Sequence, residues 1–363
     1  MLMSISPGSE TATPAAPAPT DNLNLTALAE RGVFPDFMVR WAIRRKLAAK
    51  LREETARGHD VSIDDMVAEL DGQPIALATD KANEQHYELP SAYFSEALGP
   101  RRKYSCCYWP AGVENLEAAE VAALEQVLER ADIGPGQRVL ELGCGWGSFC
   151  LFAAATFPES EFVAVSNSRT QKAYIEAQAV ERGLTNLRVV TADMNSFAPE
   201  ERFDRVVSIE MFEHMKNYRQ LMQRIASWLL SGGKLFVHIF VHHTFAYHFE
   251  DEGREDDWMA HYFFTGGTMP SDDLLLRFQE DLLVEGHWRV NGRHYARTLE
   301  AWLHRHDQAK SRILPLFEQT YGSETEARLW FQRWRMFYLA CSELFNFRDG
   351  WQWHVSHYRF TRC

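Results

Sequence analysis

The chain has 363 residues, of which 46% are hydrophobic and 24% are charged, a composition that indicates a globular protein with a large core and excludes a wholly disordered chain. Its length suggests about two domains, or one large domain that carries a cap. No apolar stretch reaches the roughly 18 residues of a membrane-spanning helix, and the net charge of −12 disfavours binding to the phosphates of nucleic acids.

Residues 1–25 are rich in Pro, Ala, Ser and Thr and predict a disordered tail, because such a segment buries too little apolar surface to offset its ordering entropy. The first thirty residues contain no Lys or Arg, which secretory and mitochondrial targeting peptides both require. The sequence therefore predicts a cytoplasmic protein.

Residues 26–100 predict an N-terminal helical region. Apolar side chains recur every four residues from Val39 to Leu51, which is the spacing of one helix face. Between residues 38 and 52 there are six basic residues and no acidic one. This basic helix either contacts an anionic membrane surface or packs on an acidic part of the protein, and the sequence leaves both interpretations open.

Residues 101–363 predict an α/β domain, because helix and strand patterns alternate from residue 115 onward. Alternation of this kind is typical of βαβ units in a doubly wound, parallel sheet, whose ligands bind at the carboxyl ends of the strands. At about residues 245–350 it gives way to Trp-rich, helical sequence that predicts a substrate cap, before a final strand near 353–360. The five predicted central strands are RVLELG, FVAVS, LRVVTAD, FDRVVSIEM and KLFVHIFV, and NYRQLMQRIASWLLSGG predicts the helix before the last of them.

A glycine-rich loop, ELGCGWG at 141–147, lies between the first of these strands and a predicted helix. Such a loop lets the backbone approach a ligand closely. Its spacing is GxGxG and not the GxGxxG of dinucleotide enzymes, and Ser166 and Asn167 stand where those enzymes carry a ribose-binding acid. The loop therefore favours an S-adenosylmethionine site, with Glu141 near the cationic methionine end of the cofactor.

The cysteines and histidines give no strong sign of a disulfide or a metal. The six cysteines form no CxxC pair, as expected of a protein from a reducing compartment. His238, His242, His243 and His248 include a HxxxH spacing that can bind zinc, but no cysteine lies near them. We expect no metal site.

From about residue 80 to the C-terminus, the chain resembles the cyclopropane fatty acid synthase superfamily of S-adenosylmethionine-dependent transferases, and within it the coclaurine N-methyltransferase-like branch. The resemblance implies a class I, Rossmann-like methyltransferase fold with an N-terminal helical extension and a helical cap. It rests on the motifs NEQHYELP, KYSCCYW (103–109), ELGCGWG, VSNSRTQ (165–171), IEMFEHMKNY (209–218), HHTFAYHFE with a following DDW, YFFTGGTMPS (262–271) and HYARTLEAW (294–302).

The resemblance also implies a set of cofactor-binding residues. These would close over the methionine end, form the glycine loop, contact the ribose or flank the adenine. Tyr104 and Ser105 would close over the methionine end, and Gly143 and Gly145 would form the glycine loop. Asn167 and Gln171 would contact the ribose, and Asp193 and Met194 would flank the adenine, with Ile209 beside it. The alternative for Asp193 is a solvated loop residue, but the register of the motif favours the cofactor-binding role.

Glu210, Glu213 and His214 at the end of the fourth strand are the candidate catalytic residues. Methyl transfer to an amine requires a base that removes a proton and groups that hold the substrate near the methyl. The resemblance assigns that purpose to the residues matching Glu210 and His214. The alternative is structural, with Glu213 capping a helix and His214 satisfied in the core.

In the cyclopropane synthase branch, residues matching Cys106, Glu213, His238 and Tyr295 hold a bicarbonate ion that removes a proton after methyl transfer to an alkene. All four residue types are present here, whereas Phe240 replaces a smaller aliphatic residue. Cys341 matches a cysteine of the synthases once thought catalytic, although a buried structural cysteine explains it better. Five aromatic residues are candidates for a substrate pocket or for packing of the cap: Tyr247, Phe249, Trp258, Tyr262 and Phe263.

Three functions follow as hypotheses. The first is N-methylation of an amine on a hydrophobic small molecule. The second is methyl or methylene transfer to unsaturated fatty acyl chains of phospholipids, with bicarbonate as a second cofactor. The third is a non-catalytic S-adenosylmethionine sensor or partner subunit, which the set of Glu210, Glu213 and His214 disfavours. A homodimer and peripheral membrane contact through the helix at 38–52 remain open.

Overall fold

A computed structural model describes residues 25–58, 62–77, 89–251, 253 and 257–362. Residues 1–24 of the predicted tail, most of the motif NEQHYELP and part of the acidic loop before Trp258 lie outside these ranges.

A seven-stranded sheet forms the centre of the fold, with strand order β3-β2-β1-β4-β5-β9-β8. The first five strands of this order are parallel, and β9 runs antiparallel to both of its neighbours. The predicted α/β class I fold is thus confirmed. The strands are β1 (Arg138–Leu142), β2 (Glu161–Ser166), β3 (Leu187–Thr191), β4 (Phe203–Ile209), β5 (Leu229–His242), β6 (Tyr247–His248), β7 (Thr268–Met269), β8 (Leu282–Val290) and β9 (Trp353–Arg362), of which β6 and β7 pair separately.

Helices cover the sheet and extend from it at both ends of the chain. Several begin at a side chain that accepts a hydrogen bond from the first turn, as Asn115 does from the amide of Ala118. The helices are α1 (Leu25–Glu30), α2 (Asp36–Arg57), α3 (Ile63–Asp71), α4 (Ser91–Ala97), α5 (Leu116–Arg130), α6 (Ser148–Thr156), α7 (Arg169–Glu181), α8 (Tyr218–Trp228), α9 (Trp258–Tyr262), α10 (Arg293–Gln308), α11 (Lys310–Tyr321) and α12 (Glu324–Asn346).

Two sequence-based predictions of elements differ from the structure. The helix predicted through WLLSGG ends at Trp228, because Leu229 already pairs with Phe203 in the sheet. The region predicted as an all-helical cap contains β8, which forms an edge of the sheet. Its sequence, LLVEGHWRV, is too polar to show a buried strand pattern, because an edge strand beside solvent needs little apolar surface.

The basic helix α2 packs on acidic residues of the C-terminal helices. Arg40 Nη1 donates to Glu300 at 2.6 Å and to Glu343 at 3.1 Å, and Arg44 Nε donates to Glu343 at 2.5 Å. These ion pairs support the packing interpretation of its charge. Across the described ranges, no helix combines the length and the apolar composition that crossing a bilayer requires.

Aromatic side chains fill the space between the carboxyl ends of the strands and the helices α10 to α12. Phe240 of β5 lies 6.0 Å from Phe264 and 6.3 Å from Phe345, measured between ring centroids. Phe263 stacks on Phe337 at 4.5 Å. The cluster gives the site described next an apolar wall.

Candidate active site

A cavity that is open to solvent at its mouth lies at the carboxyl ends of β1, β2 and β4. Most of the residues predicted to bind a cofactor line it. Tyr104, Ser105 and Glu141 do not belong to its lining, and Ile209 packs on the opposite side with the cluster around Phe236. The lining residues are Leu77, Gly143, Gly145, Val165, Ser166, Asn167, Gln171, Ala192, Asp193, Met194, Glu210, Met211, His214 and Met215.

The glycine loop is shaped by left-handed backbone conformations. Gly143 and Gly145 have φ values of +75° and +51°, which favour glycine. A Cβ at position 143 would lie 2.9 Å from the side chain of Met211, whereas a Cβ at Gly145 would meet no atom within 4 Å. Gly145 therefore presents bare backbone to open space at the cavity wall, where a ligand can approach closely.

Unpartnered polar atoms at this end of the sheet fit the predicted cofactor. Gln171 lines the cavity, and its Nε2 has no hydrogen-bond partner among the described residues. Oε2 of the buried Glu141 also lacks one, and burial raises the pKa of this carboxyl to about 8. An amide donor in the cavity wall suits a ribose hydroxyl of S-adenosylmethionine, whereas the Glu141 carboxyl, which does not line the cavity, would attract a nearby cation only when ionised.

The backbone at Glu210 positions its carboxylate. Glu210 directly follows β4 and has a φ of +48°, which is strained for a residue other than glycine. Its Oε1 accepts hydrogen bonds from the backbone N–H of Cys106 at 3.0 Å and from Nε2 of His238 at 3.1 Å. Its Oε2 accepts from the Tyr295 hydroxyl at 2.6 Å. We call these three donors and the carboxylate that they hold the Glu210 cage.

The cage brings together three of the four residues predicted to bind bicarbonate. Cys106, His238 and Tyr295 surround the protein's own carboxylate, while Glu213 lies beside it without a bond to those donors that the structure describes. Of the remaining synthase-matched positions, Phe240 is 5% exposed. Cys341 is buried, and burial raises the pKa of its thiol, which keeps it protonated.

The two carboxyl groups hold protons differently. Burial raises the pKa of Glu210, and this rise is opposed by the buried ammonium of Lys103 and by the donors of the cage. The pKa of Glu213 is raised much further, by burial and by the charge of Glu210, and its Oε2 has no partner in the described part of the chain. We therefore assign the anion to Glu210 and a proton to Glu213.

Lys103 is a buried charged residue behind the site that sequence reasoning missed. Its side chain is fully buried, and its Nζ donates to Ser105 Oγ at 2.5 Å and to the carbonyl of Cys106 at 2.7 Å. A lysine inside the motif KYSCCYW, next to Cys and aromatic residues, was the available signal. Its charge stabilises the Glu210 anion and fixes the segment that donates to the cage.

His214 joins the cavity to the aromatic wall. It lines the cavity, and its ring is parallel to Phe264 at 6.5 Å between centroids. Of the five predicted pocket aromatics, Phe249 stacks on the same Phe264 at 5.3 Å. Of the others, Trp258 connects the cap to α1 by donating to Glu30 at 2.7 Å.

Fold and cavity together define a class of protein. A doubly wound sheet, with a glycine loop after its first strand and a cavity at the strands' carboxyl ends, is the architecture of a class I S-adenosylmethionine-dependent methyltransferase. The family model of mycolic acid cyclopropane synthetase matches residues 77–354. The chain belongs to this family, and it is an S-adenosylmethionine-dependent methyltransferase.

Relatives within the family include both predicted branches. (S)-coclaurine N-methyltransferase of Thalictrum flavum subsp. glaucum is 37% identical over 92% of this chain and 94% of the relative. Cyclopropane-fatty-acyl-phospholipid synthase of Escherichia coli (strain K12) is 32% identical over 75% of this chain and 66% of the relative. A crystal structure of coclaurine N-methyltransferase bound to N-methylheliamine and SAH matches with a TM-score of 0.88 and 36% identity, and the match covers 94% of this chain and 99% of that one. The resemblance inferred from the motifs is confirmed.

Proposed function

We propose that the protein transfers a methyl group from S-adenosylmethionine to the nitrogen of an amine on a hydrophobic small molecule. The observation that carries this proposal is the Glu210 cage beside His214, at a cavity that lies against an aromatic wall. Such a site offers an anion and a base next to apolar surface, which are the features that an aromatic ammonium ion requires. The similarity to (S)-coclaurine N-methyltransferase supports the same substrate class.

Each residue has a separate task in this proposal. His214 accepts the proton of the substrate ammonium, because a neutral imidazole is a base and this one lines the cavity. Glu210 remains an anion and attracts the ammonium, and the rings of Phe264 and Phe249 pack against the substrate's apolar part. S-adenosylmethionine, when bound, supplies an electrophilic methyl on its sulfonium sulfur.

The Glu210 cage indicates that the reaction does not require bicarbonate. Cys106, His238 and Tyr295 already donate to an internal carboxylate, so a free anion would have to displace Glu210 to reach the same donors. Methylation of an alkene, which needs a separate base after methyl transfer, is therefore the less favoured alternative. The match to the cyclopropane synthetase family model and the similarity to the Escherichia coli synthase support this alternative.

A substrate-class experiment decides between these functions. Purified protein and S-adenosylmethionine are offered (S)-coclaurine, heliamine or vesicles of an unsaturated phospholipid, each in bicarbonate-free and bicarbonate-supplemented buffer, and products are measured by mass spectrometry. We expect methylated amine at equal rates in both buffers. Products from the phospholipid alone, formed only with bicarbonate, would overturn the proposal.

A further inference from the structure

A row of polar side chains runs across the sheet behind the Glu210 cage. The strand register aligns Ile209 of β4 with His238 of β5, and His238 with His357 of β9. His238 Nδ1 lies 2.8 Å from His357 Nε2, and His357 Nδ1 lies 2.7 Å from Nη1 of Arg130 at the end of α5. Together with the bond from His238 to Glu210, these contacts form one continuous chain of hydrogen bonds.

The chemistry of arginine fixes the direction of every bond in this chain. A guanidinium only donates hydrogen bonds, so Nδ1 of His357 must accept from Arg130. The proton of a neutral His357 then lies on Nε2, which donates to Nδ1 of His238. His238 in turn carries its proton on Nε2 and donates to Glu210.

We propose that Arg130, His357 and His238 form a polarised relay of fixed direction that orients the Glu210 carboxylate and holds it as an anion. His357 and Arg130 are positioning residues in this arrangement, because they act on the site only through His238. The role in catalysis rests on the proposed function, whereas the direction of the relay does not.

Burial and charge keep both imidazoles neutral. His238 and His357 are 3% and 2% exposed, and burial lowers the pKa of each well below its usual value. The cations that face them, Lys103 and Arg130, lower both values further. The Glu210 anion would favour a charged imidazolium. A second proton on His357, however, would lie on Nδ1 and face the Arg130 guanidinium, which cannot accept a hydrogen bond.

The relay can polarise but cannot conduct a proton to the surface. Transfer along it would require Arg130 to lose or take up a proton, and a guanidinium does not titrate in proteins. The proton removed from a substrate must therefore leave through His214 and the mouth of the cavity. Arg130 acts instead as a permanent charge at the far end, which strengthens each hydrogen bond between it and Glu210.

The first test reads the relay without substrate or turnover. Nitrogen-15 NMR of histidine-labelled protein reports the protonation state and tautomer of each imidazole, and assignments come from single substitutions. We expect His238 and His357 to remain neutral, with the proton on Nε2, between about pH 6 and pH 9. Titration of either ring in this range, or a proton on Nδ1 of either, would overturn the proposed direction.

The second test measures how substitutions of His357 change the rate and the pH dependence that the Glu210 carboxylate supports. His357→Phe removes the donor to His238 Nδ1, and His357→Gln keeps an N–H at the ε position. We expect His357→Phe to lower kcat on the amine substrate roughly tenfold, which is about the effect on the activation free energy of losing one hydrogen bond. The acid limb of its pH–kcat profile should move to higher pH, because a carboxylate with a weakened donor has a higher pKa. His357→Gln should restore most of both.

Calorimetric affinity for S-adenosylmethionine and the thermal midpoint serve as controls for folding. If His357→Phe binds the cofactor normally and keeps the wild-type pH–kcat profile, the positioning role is wrong even where the tautomers are as expected. If the wild type methylates no amine, the proposed function fails and the NMR measurement still judges the relay. Signals of His306, a buried histidine outside the relay, should not change in either variant.

Discussion

At the residue scale, two neighbouring buried glutamates differ in their hydrogen-bond partners. The Glu210 carboxylate accepts three hydrogen bonds and lies near Lys103. Glu213, three residues later, is also buried, and its Oε2 has no hydrogen-bond partner among the described residues. The motif IEMFEHMKNY predicts that both are important, but donors from β5, α10 and the Cys106 segment decide which one is ionised. Such assignments require the tertiary structure, because no donor to Glu210 lies within twenty residues of it.

His214→Ala tests the assigned base. We expect kcat on an amine to fall about 10²- to 10⁴-fold, the usual contribution of a positioned base, with little change in affinity for S-adenosylmethionine. Raising the pH should restore part of the rate, because solvent then supplies the free amine. A pH–rate profile of variant and wild type measures both effects.

His304→Ala is the matched control, because His304 lies exposed on α10 and bonds only to Gln308 among the described contacts. It should leave the profile unchanged. An unaltered kcat in His214→Ala would make His214 a structural residue and remove the base from the proposed mechanism.

At the element scale, the sequence predicted β1 to β5 and β9 because their apolar runs and glycine stops are local signals. The sequence did not predict β8. This strand joins the sheet through long-range pairing and through side chains that donate hydrogen bonds to one buried carboxylate. Asp272 accepts from Arg289 Nε at 2.7 Å and from His287 and His354 Nε2 at 3.2 Å each, and Ser356 also donates to it. A cluster whose members lie on β8 and β9 leaves no periodic signal in the chain.

Asp272→Asn should lower the free energy of unfolding by about 3–5 kcal/mol at pH 7, because the donors around it then lack a charged acceptor. These donors hold the folded-state pKa of Asp272 far below its usual range. Its stabilisation is therefore present above about pH 4 and is lost as the pH falls below that value. Urea unfolding at a series of pH values should show the two proteins converging in acid.

Asp273→Asn provides the comparison, since the Asp273 side chain is 49% exposed and that of Asp272 is 4% exposed. We expect it to change the stability by at most about 1 kcal/mol, as for other exposed ion pairs. Equal losses in both variants would show that Asp272 does not hold β8 to β9.

At the scale of the whole molecule, α2 joins the start of the chain to its last helices. Glu343 of α12 is the centre of this contact, since Arg40 and Arg44 both donate to its carboxylate. The aromatic side chains of Phe37 and Trp41 on the same helix are 72% and 59% exposed. The sequence predicted the helix and its charge, but it could not decide what the charge faces, because the partners lie about 300 residues away.

Glu343→Gln should weaken this attachment by about 1–3 kcal/mol, since it removes a charged acceptor from a side chain that is 6% exposed. The amides of α2 should then exchange with deuterium faster, while those of β1 and β4 keep their protection. Glu326→Gln, at an exposed position of the same helix, should leave exchange in α2 unaltered. Unaltered exchange in Glu343→Gln as well would show that α2 is held by its apolar contacts alone.

The left-handed backbone at Glu210 has a consequence for how this family can diversify. Glycine adopts a φ of +48° without the cost of order 1–3 kcal/mol that a larger residue carries. Glu210→Gly would thus relieve local strain and, at the same time, empty a pocket whose three donors suit a small oxyanion such as bicarbonate or formate. A single-nucleotide change converts a glutamate codon into a glycine codon. We expect the Glu210→Gly protein to accept a small oxyanion at these donors, because the left-handed backbone makes the substitution sterically easy.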